Sequence, residues 1–159
     1  MNIYLRAIGI GTVAGMRSTS APALTSYYFA GNPSLFLDAS RLKGFGQQTT
    51  SNVLKFMAAG ELVVDKLPFV PSRTDPGPLV ARAVSGGVCA AAIFLAEDEK
   101  PEIGAALGAA AAVAAAFLFM NLRRILGKAM EIPDPIIACA EDGLAIGIGF
   151  AVFPPRKTT

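Results

Sequence analysis

The feature that most constrains this chain is an uninterrupted apolar run, IGAALGAAAAVAAAFLFM, at residues 103–120. For 18 residues it contains no charged and no strongly hydrogen-bonding side chain. A helix of this length and composition crosses the roughly 30 Å hydrocarbon core of a bilayer. The acidic stretch EDEKPE precedes the run, and Arg123 and Arg124 follow it. The run therefore predicts a transmembrane helix.

The composition of the whole chain also favours a membrane protein over a soluble domain. Of the 159 residues, 53% are hydrophobic and only 16% are charged, and the mean hydropathy is +0.50. In soluble domains roughly a quarter of the residues are charged. The length allows a single domain, which we expect to occupy residues 1–159. A small soluble helical protein with an alanine-rich core is the alternative that these values leave open.

The residue types present argue against several classes of function. The net charge is +2 and the basic residues are scattered, which disfavours a nucleic-acid partner. The chain has no histidine, which excludes a histidine-based metal site and a Ser–His hydrolase. Cys89 and Cys139 lie in apolar segments without C-x-x-C spacing, which is typical of small buried residues. We therefore expect no enzymatic activity, no metal and no cofactor.

Several segments of the chain are apolar enough to be embedded in a membrane. They cover about residues 3–30, 50–67, 78–96, 102–122 and 134–154, and turn-forming glycines and prolines separate them. Because backbone N–H and C=O groups in lipid must be hydrogen-bonded within the segment, each segment is expected to be helical. The predicted fold is an all-α polytopic membrane protein with four to five membrane-embedded helices, the first of them broken.

The second segment is ambiguous because it contains four charged residues: Lys55, Glu61, Asp65 and Lys66. It either spans the membrane, dips into it, or lies at its surface. Loops rich in arginine and lysine are usually cytoplasmic, which places the loop after the fourth segment inside and the acidic turn at 97–102 outside. The N-terminus is then inside if the second segment spans, and outside if it does not.

Glycines recur four residues apart in three segments, at Gly11 and Gly15, Gly104 and Gly108, and Gly143 and Gly147. This spacing leaves a groove into which another helix backbone packs closely. It predicts a tightly packed bundle or a homodimer. The first and fourth segments share the glycine spacing, and the second and fifth each contain two acidic residues. An inverted repeat, as found in small transporters, is therefore a further possibility.

Ionisable residues lie well inside the apolar segments: Arg17, Glu61, Asp65, Glu141 and Asp142. An ionised side chain near the bilayer centre costs about 2.5–3.5 kcal/mol on insertion scales, and such residues are usually functional. Glu61 and Asp65 are four apart and share a helix face, whereas the adjacent Glu141 and Asp142 point about 100° apart. Carboxylates outnumber arginines in this set, so some must be protonated, hydrated or bound to a cation.

Arg17 lies about 14 residues into the first segment, where three hydroxyl residues and Pro22 follow it. Ser20 is expected to cap a new helix that has Pro22 in its first turn. Such a helix start directs free N–H groups and partial positive charge towards Arg17. This favours an anion-binding locus at Arg17, Ser18 and Ser20, with a proline kink and a structural arginine–carboxylate pair as the alternative. Arg82, near the start of its segment, is expected to reach back to the membrane surface.

Several motifs taken together resemble a known family: GMRSTSAPAL, GELVVDKLPFVPSRTDPGPLVARAVSGG, LRR, and PDP followed by AEDGLAIG. The family consists of small bacterial integral membrane proteins and is catalogued as domain of unknown function 4126. The resemblance implies a wholly helical, multi-pass protein of the bacterial inner (plasma) membrane. It implies no particular reaction, ligand or catalytic residue.

The leading functional hypothesis is a small membrane transporter or channel with a buried charged site, anion-binding and proton- or cation-coupled. Its site comprises Arg17, Ser18, Ser20, Glu61, Asp65, Glu141 and Asp142. The expected partners are membrane lipid, a second copy of the chain in a homodimer, and a small ion or solute. The alternative hypothesis is a non-transporting membrane assembly or lipid-interacting protein whose buried charges are structural.

Overall fold

The structure, a computed structural model, describes residues 1–32, 47–64, 75–129 and 134–153. These residues form six α-helices and no strand, which confirms the predicted all-α class. The helices are α1 (Ile3–Met16), α2 (Ser20–Ala30), α3 (Gln48–Val64), α4 (Pro76–Ala96), α5 (Pro101–Ala129) and α6 (Asp134–Val152).

Two of these helices are long and apolar enough to cross a membrane, namely α4 and the part of α5 from Pro101 to Gly127. Both begin with a proline in the first turn, where the missing N–H is not needed. The apolar run at 103–120 lies within α5 as predicted, but the helix continues through Arg123 and Arg124 to Ala129. The larger count of four to five embedded helices stays a prediction.

Helix α1 runs antiparallel to α4. Near the start of α1, the ring of Tyr4 lies 5.7 Å from that of Phe94, close to the end of α4. Near the end of α1, the backbone carbonyl of Gly15 accepts a hydrogen bond from Arg82, close to the start of α4.

Helix α2, in contrast, runs in the same direction as α4. The hydroxyl of Ser85 donates to the carbonyl of Ser18, just before α2 begins, and Phe29 packs with Ala92 further along both helices. The predicted break in the first segment is therefore confirmed, but the chain reverses direction there. Helices α1 and α2 form an antiparallel helical hairpin, joined by residues 17–19.

The hairpin is too short for either arm to cross a bilayer. Helix α1 has 14 residues and α2 has 11, which correspond to about 21 Å and 17 Å of helix. The hydrocarbon core is about 30 Å thick. The expectation that residues 3–30 form one broken helix with a continuing direction is therefore wrong, because the chain reverses between α1 and α2. How these two helices lie relative to a membrane stays a prediction. The first and fourth segments share a glycine spacing, but they do not share a structure. The first forms the hairpin α1–α2, whereas the fourth forms the single continuous helix α5.

The core of the described residues surrounds α1, which packs against α4, α5 and α6. Close approach depends on glycine: Gly11 and Gly86 both face the backbone of Gly108, and Gly15 faces that of Ala112. The prediction of a tightly packed bundle is confirmed for these glycines.

On α6, a methyl group added to Gly143 or Gly147 would have no side chain or backbone of another described element within 4 Å. That glycine pair therefore takes no part in packing within the described chain. The homodimer stays a prediction.

Helix α6 runs antiparallel to α1. Arg6, near the start of α1, contacts Val152 at the end of α6, whereas Arg17, which follows α1, contacts Asp142 in the first half of α6. Helix α3 packs mainly against α2. Its Val53, Phe56 and Met57 are exposed, Phe56 at 79%. Apolar exposure of this kind on one helix is expected where lipid or another apolar surface covers it.

Candidate functional site

Arg17 occupies the link at the tip of the hairpin. It is the first residue after α1, in an extended backbone conformation, and its N–H donates to the carbonyl of Val13 at 2.7 Å. The side chain is only 2% exposed. Its Nε donates to Oδ1 of Asp142 on α6 at 2.7 Å, and its Nη2 pairs with the same oxygen. The arginine–carboxylate pair, which was the alternative to an anion-binding locus, is therefore present, with Asp142 as a partner.

A second buried arginine contacts the last turn of α1, just before the link. Arg82 on α4 is 4% exposed, and its Nε donates to the carbonyl of Gly15 at 3.1 Å. A carbonyl in the last turn of a helix has no partner within the helix, and the helix dipole favours a cation there. Arg82 therefore has an acceptor inside the bundle at the end of α1, and the expectation that it reaches the membrane surface stays a prediction.

Glu141 faces a different helix from its neighbour Asp142, as their adjacency on one helix predicts. It is 6% exposed, and its Oε2 lies 3.9 Å from Nη1 of Arg123 on α5. At that distance the two groups form an ion pair and not a hydrogen bond. Glu141 therefore connects α6 to α5, while Asp142 connects α6 to the hairpin tip.

A third ion pair, which the sequence does not predict, lies at the opposite end of α1. Nη1 of the buried Arg6 donates to Oε1 of Glu97 at 2.6 Å, and its Nε donates to the carbonyl of Val152 at 3.1 Å. Glu97 directly follows α4. The sequence does contain a cation, Arg6, inside the first apolar segment and an acid, Glu97, directly after the third. It does not show that these two residues meet in the fold.

The remaining residues of the predicted site do not gather around Arg17 in the described structure. Ser20 begins α2 but does not cap it, because Thr19 occupies the cap position and makes no side-chain cap hydrogen bond. Ser18 contributes its carbonyl to α4. Glu61 lies in α3, but its side chain and the whole of Asp65 fall outside the described residues. Their participation in the site stays a prediction.

One cavity lies away from Arg17, on the outside of the bundle. It is an apolar groove of about 390 Å³ between α2, α3 and α6. Ser20, Leu24 and Tyr27 from α2, Lys55 from α3, and Ile146 and Phe150 from α6 contribute to its walls. A smaller cavity of about 130 Å³ lies between α5 and α6, beside Arg123 and Glu141. Arg17 and Asp142 line neither of them.

Comparison with known proteins supports the resemblance seen in the motifs. The model of a family described as a domain of unknown function (DUF4126) matches residues 4–156. This range includes every residue of the predicted site and almost all of the six helices. No curated protein and no solved structure matches the chain.

Proposed function

The chain belongs to the DUF4126 family, and we propose that it is a non-transporting, lipid-interacting protein with several passes through the bacterial inner membrane. In this proposal the buried charges are structural. They fix the short hairpin α1–α2 to the longer helices, and the outer surface of the bundle interacts with lipid.

The observation that carries the proposal is the closure of Arg17 on Asp142. Two guanidinium nitrogens of a 2% exposed side chain meet one carboxylate oxygen. A buried charge without its partner costs several kcal/mol, whereas a closed pair with further hydrogen bonds is tolerated. Neither of the two cavities described above is lined by Arg17 or Asp142.

The surface of the described helices supports the lipid-interacting part of the proposal. Helices α3, α4 and α6 each expose apolar side chains, among them Phe56, Val84 and Phe150. Two of the helices have the length and composition of membrane spans. Apolar side chains facing outward on such helices are what a lipid environment favours.

A transporter or channel is the second candidate, because the Arg17–Asp142 pair sits where the first segment is interrupted. Transporters commonly place charged ligand sites at interrupted helices. In that candidate, Arg17, Ser18 and Ser20 bind an anionic group. Carboxylates of α3 and α6, among them Glu141, exchange protons or cations. The pair would have to open during each cycle.

A joint replacement of the pair separates the two candidates. We expect the variant Arg17→Met/Asp142→Leu to fold, since removing both charges leaves neither one unpaired. Wild type and variant are reconstituted into proteoliposomes and assayed for flux of protons, sodium, potassium, chloride and phosphate. For a non-transporting protein, neither raises the flux above that of protein-free vesicles.

The matched control is Arg124→Met, because Arg124 is exposed on α5. A solute flux that appears with wild type and the control, and disappears in the folded joint variant or in Glu141→Gln, would establish transport and overturn the proposal.

A further inference from the structure

We propose that the groove between α2, α3 and α6 binds an anionic phospholipid of the surrounding membrane, with the lipid headgroup at Lys55. This inference rests on the proposed function, because it names the class of lipid that the outer surface recognises and the residue that recognises it.

The shape of the groove suits a hydrocarbon chain. Its volume of about 390 Å³ lies within the range of roughly 300–1,000 Å³ that is usual for ligand pockets. Leu24, Ile146 and Phe150 provide large apolar walls, and Ala58 and Ala59 of α3 keep the space between them open. Ile146 and Phe150 are themselves exposed, so a chain enters from the side of the bundle.

The charge of the groove selects the kind of headgroup. Among the described residues that line it, Lys55 alone is charged. Its Nζ lies 4.5 Å from the centre of the Tyr27 ring, a cation–π contact that holds the ammonium against α2. A single cation beside apolar walls complements a ligand with a negative head and a hydrocarbon tail. Basic residues in pockets between membrane helices bind phospholipid headgroups in this way.

Other occupants match these features less well. A symmetric contact with a second copy would bring two Lys55 side chains together, and the described lining of the groove offers no carboxylate to neutralise them. A zwitterionic lipid fills the apolar walls but gives the lysine no net negative partner. An anionic phospholipid satisfies both the walls and the charge.

The test measures lipid preference directly. The delipidated full chain is incubated in detergent with equal amounts of dioleoylphosphatidylglycerol and dioleoylphosphatidylcholine, and bound lipids are counted by native mass spectrometry. We expect wild type to retain phosphatidylglycerol about fivefold better, the ratio expected for one lysine near an anionic headgroup. Lys55→Gln should bring the ratio close to one, and Lys55→Arg should preserve it. Lys100→Gln, which removes an exposed lysine that does not line the groove, is the matched control.

A second variant tests the groove independently of the charge. Ala59→Phe fills the space between the apolar walls, so it should reduce the retention of both lipids while leaving the thermal unfolding temperature close to that of wild type.

Three results would overturn the inference: equal retention of the two lipids by wild type, an unchanged ratio in Lys55→Gln, or a dimer whose contact excludes lipid from the groove. Each of these results is distinguishable from failure of the proposed function. That failure would appear as solute flux in the proteoliposome assay and not as a change in the ratio of bound lipids.

Discussion

At the scale of single residues, the buried arginines of this bundle join helices by donating hydrogen bonds to backbone carbonyls and to carboxylates of other elements. Arg6 bridges a carboxylate and a carbonyl at the end of α6, and Arg82 reaches a carbonyl at the end of α1. A guanidinium has five N–H donors in a fixed plane, whereas a lysine ammonium offers a compact point charge. This explains why the most buried cations of the described structure are arginines.

Removing one charge of the Arg17–Asp142 pair should be more harmful than removing both. We expect Arg17→Met to lower the free energy of unfolding by about 3–5 kcal/mol, because Asp142 is left buried without its cation. The joint variant Arg17→Met/Asp142→Leu should be close to wild type or more stable. Unfolding in detergent, followed by circular dichroism, measures both. A joint variant as unstable as the single one would show that the pair contributes more than mutual neutralisation.

The two carboxylates that pair with arginines of the hairpin should differ in importance. The side chain of Glu97 is 50% exposed, whereas that of Asp142 is 14% exposed. Exposed ion pairs contribute about 0–1 kcal/mol, and buried ones are costly to break. Glu97→Gln should therefore lower the unfolding temperature much less than Asp142→Asn in the same detergent. Equal losses would contradict this ranking.

The sequence identified Arg17 as a buried charge because it interrupts an apolar segment, but it did not identify the partner. Asp142 lies 125 residues further along the chain, and Glu141 beside it was an equally good candidate. Only the rotation of α6 about its axis decides which of the two carboxylates faces the hairpin, and hydropathy carries no information on that rotation.

At the scale of helices, the bundle depends on backbone approaching backbone. Gly108 of α5 lies where α1 and α4 both come close, with Gly11 on one side and Gly86 on the other. In lipid, helices associate through such close packing and not through the hydrophobic effect, since the lipid is as apolar as the helix surface. A single small residue therefore supports two helix contacts at once.

A methyl group at this junction should be disruptive. In Gly108→Ala the new methyl would lie 2.5 Å from Cβ of Ala90 and overlap the carbonyl of Gly86. We expect a loss of about 1–3 kcal/mol in the free energy of unfolding. Gly143→Ala is the matched control, because no described neighbour lies within 4 Å of its added methyl, and it should be neutral or stabilising by about 0.5–1 kcal/mol. Equal destabilisation by the two variants would contradict the role assigned to the junction.

The existence of the helices could be predicted from the sequence, but the reversal of direction between α1 and α2 could not. Apolar runs and prolines placed most helix ends within a few residues, such as Pro76 against the predicted 78. The residues at the reversal, 17–19, are of the same types as those that interrupt a helix without reversing it. What distinguishes the two is contact with α4, through Arg82 and Ser85, and that contact is long-range.

At the scale of the whole molecule, the described contacts fix which helix ends lie together. Arg6 meets Glu97, so the start of α1 lies beside the turn between α4 and α5. Arg123 meets Glu141, so the basic part of α5 lies towards the other end, with the start of α6. Basic residues favour the cytoplasmic side. With α4 and α5 as spans, we therefore expect the N-terminus on the outside.

Cysteine labelling tests this arrangement. In a background that replaces Cys89 and Cys139 with alanine, Asn2→Cys and Glu99→Cys should both react with a membrane-impermeant maleimide applied to intact spheroplasts. Gly127→Cys should react only after the membrane is permeabilised, because α5 separates it from Glu99 by most of its length. Reaction of Asn2→Cys and Gly127→Cys from the same side would contradict the arrangement.

The hairpin at the N-terminus has a consequence for biogenesis. It leaves the ribosome before the helices that surround it, since α4, α5 and α6 are translated later. Until Asp142 has been synthesised, the hydrogen bonds between Arg17 and α6 cannot form. The earliest of these helices to be made therefore complete their packing only after translation has passed Asp142 on α6.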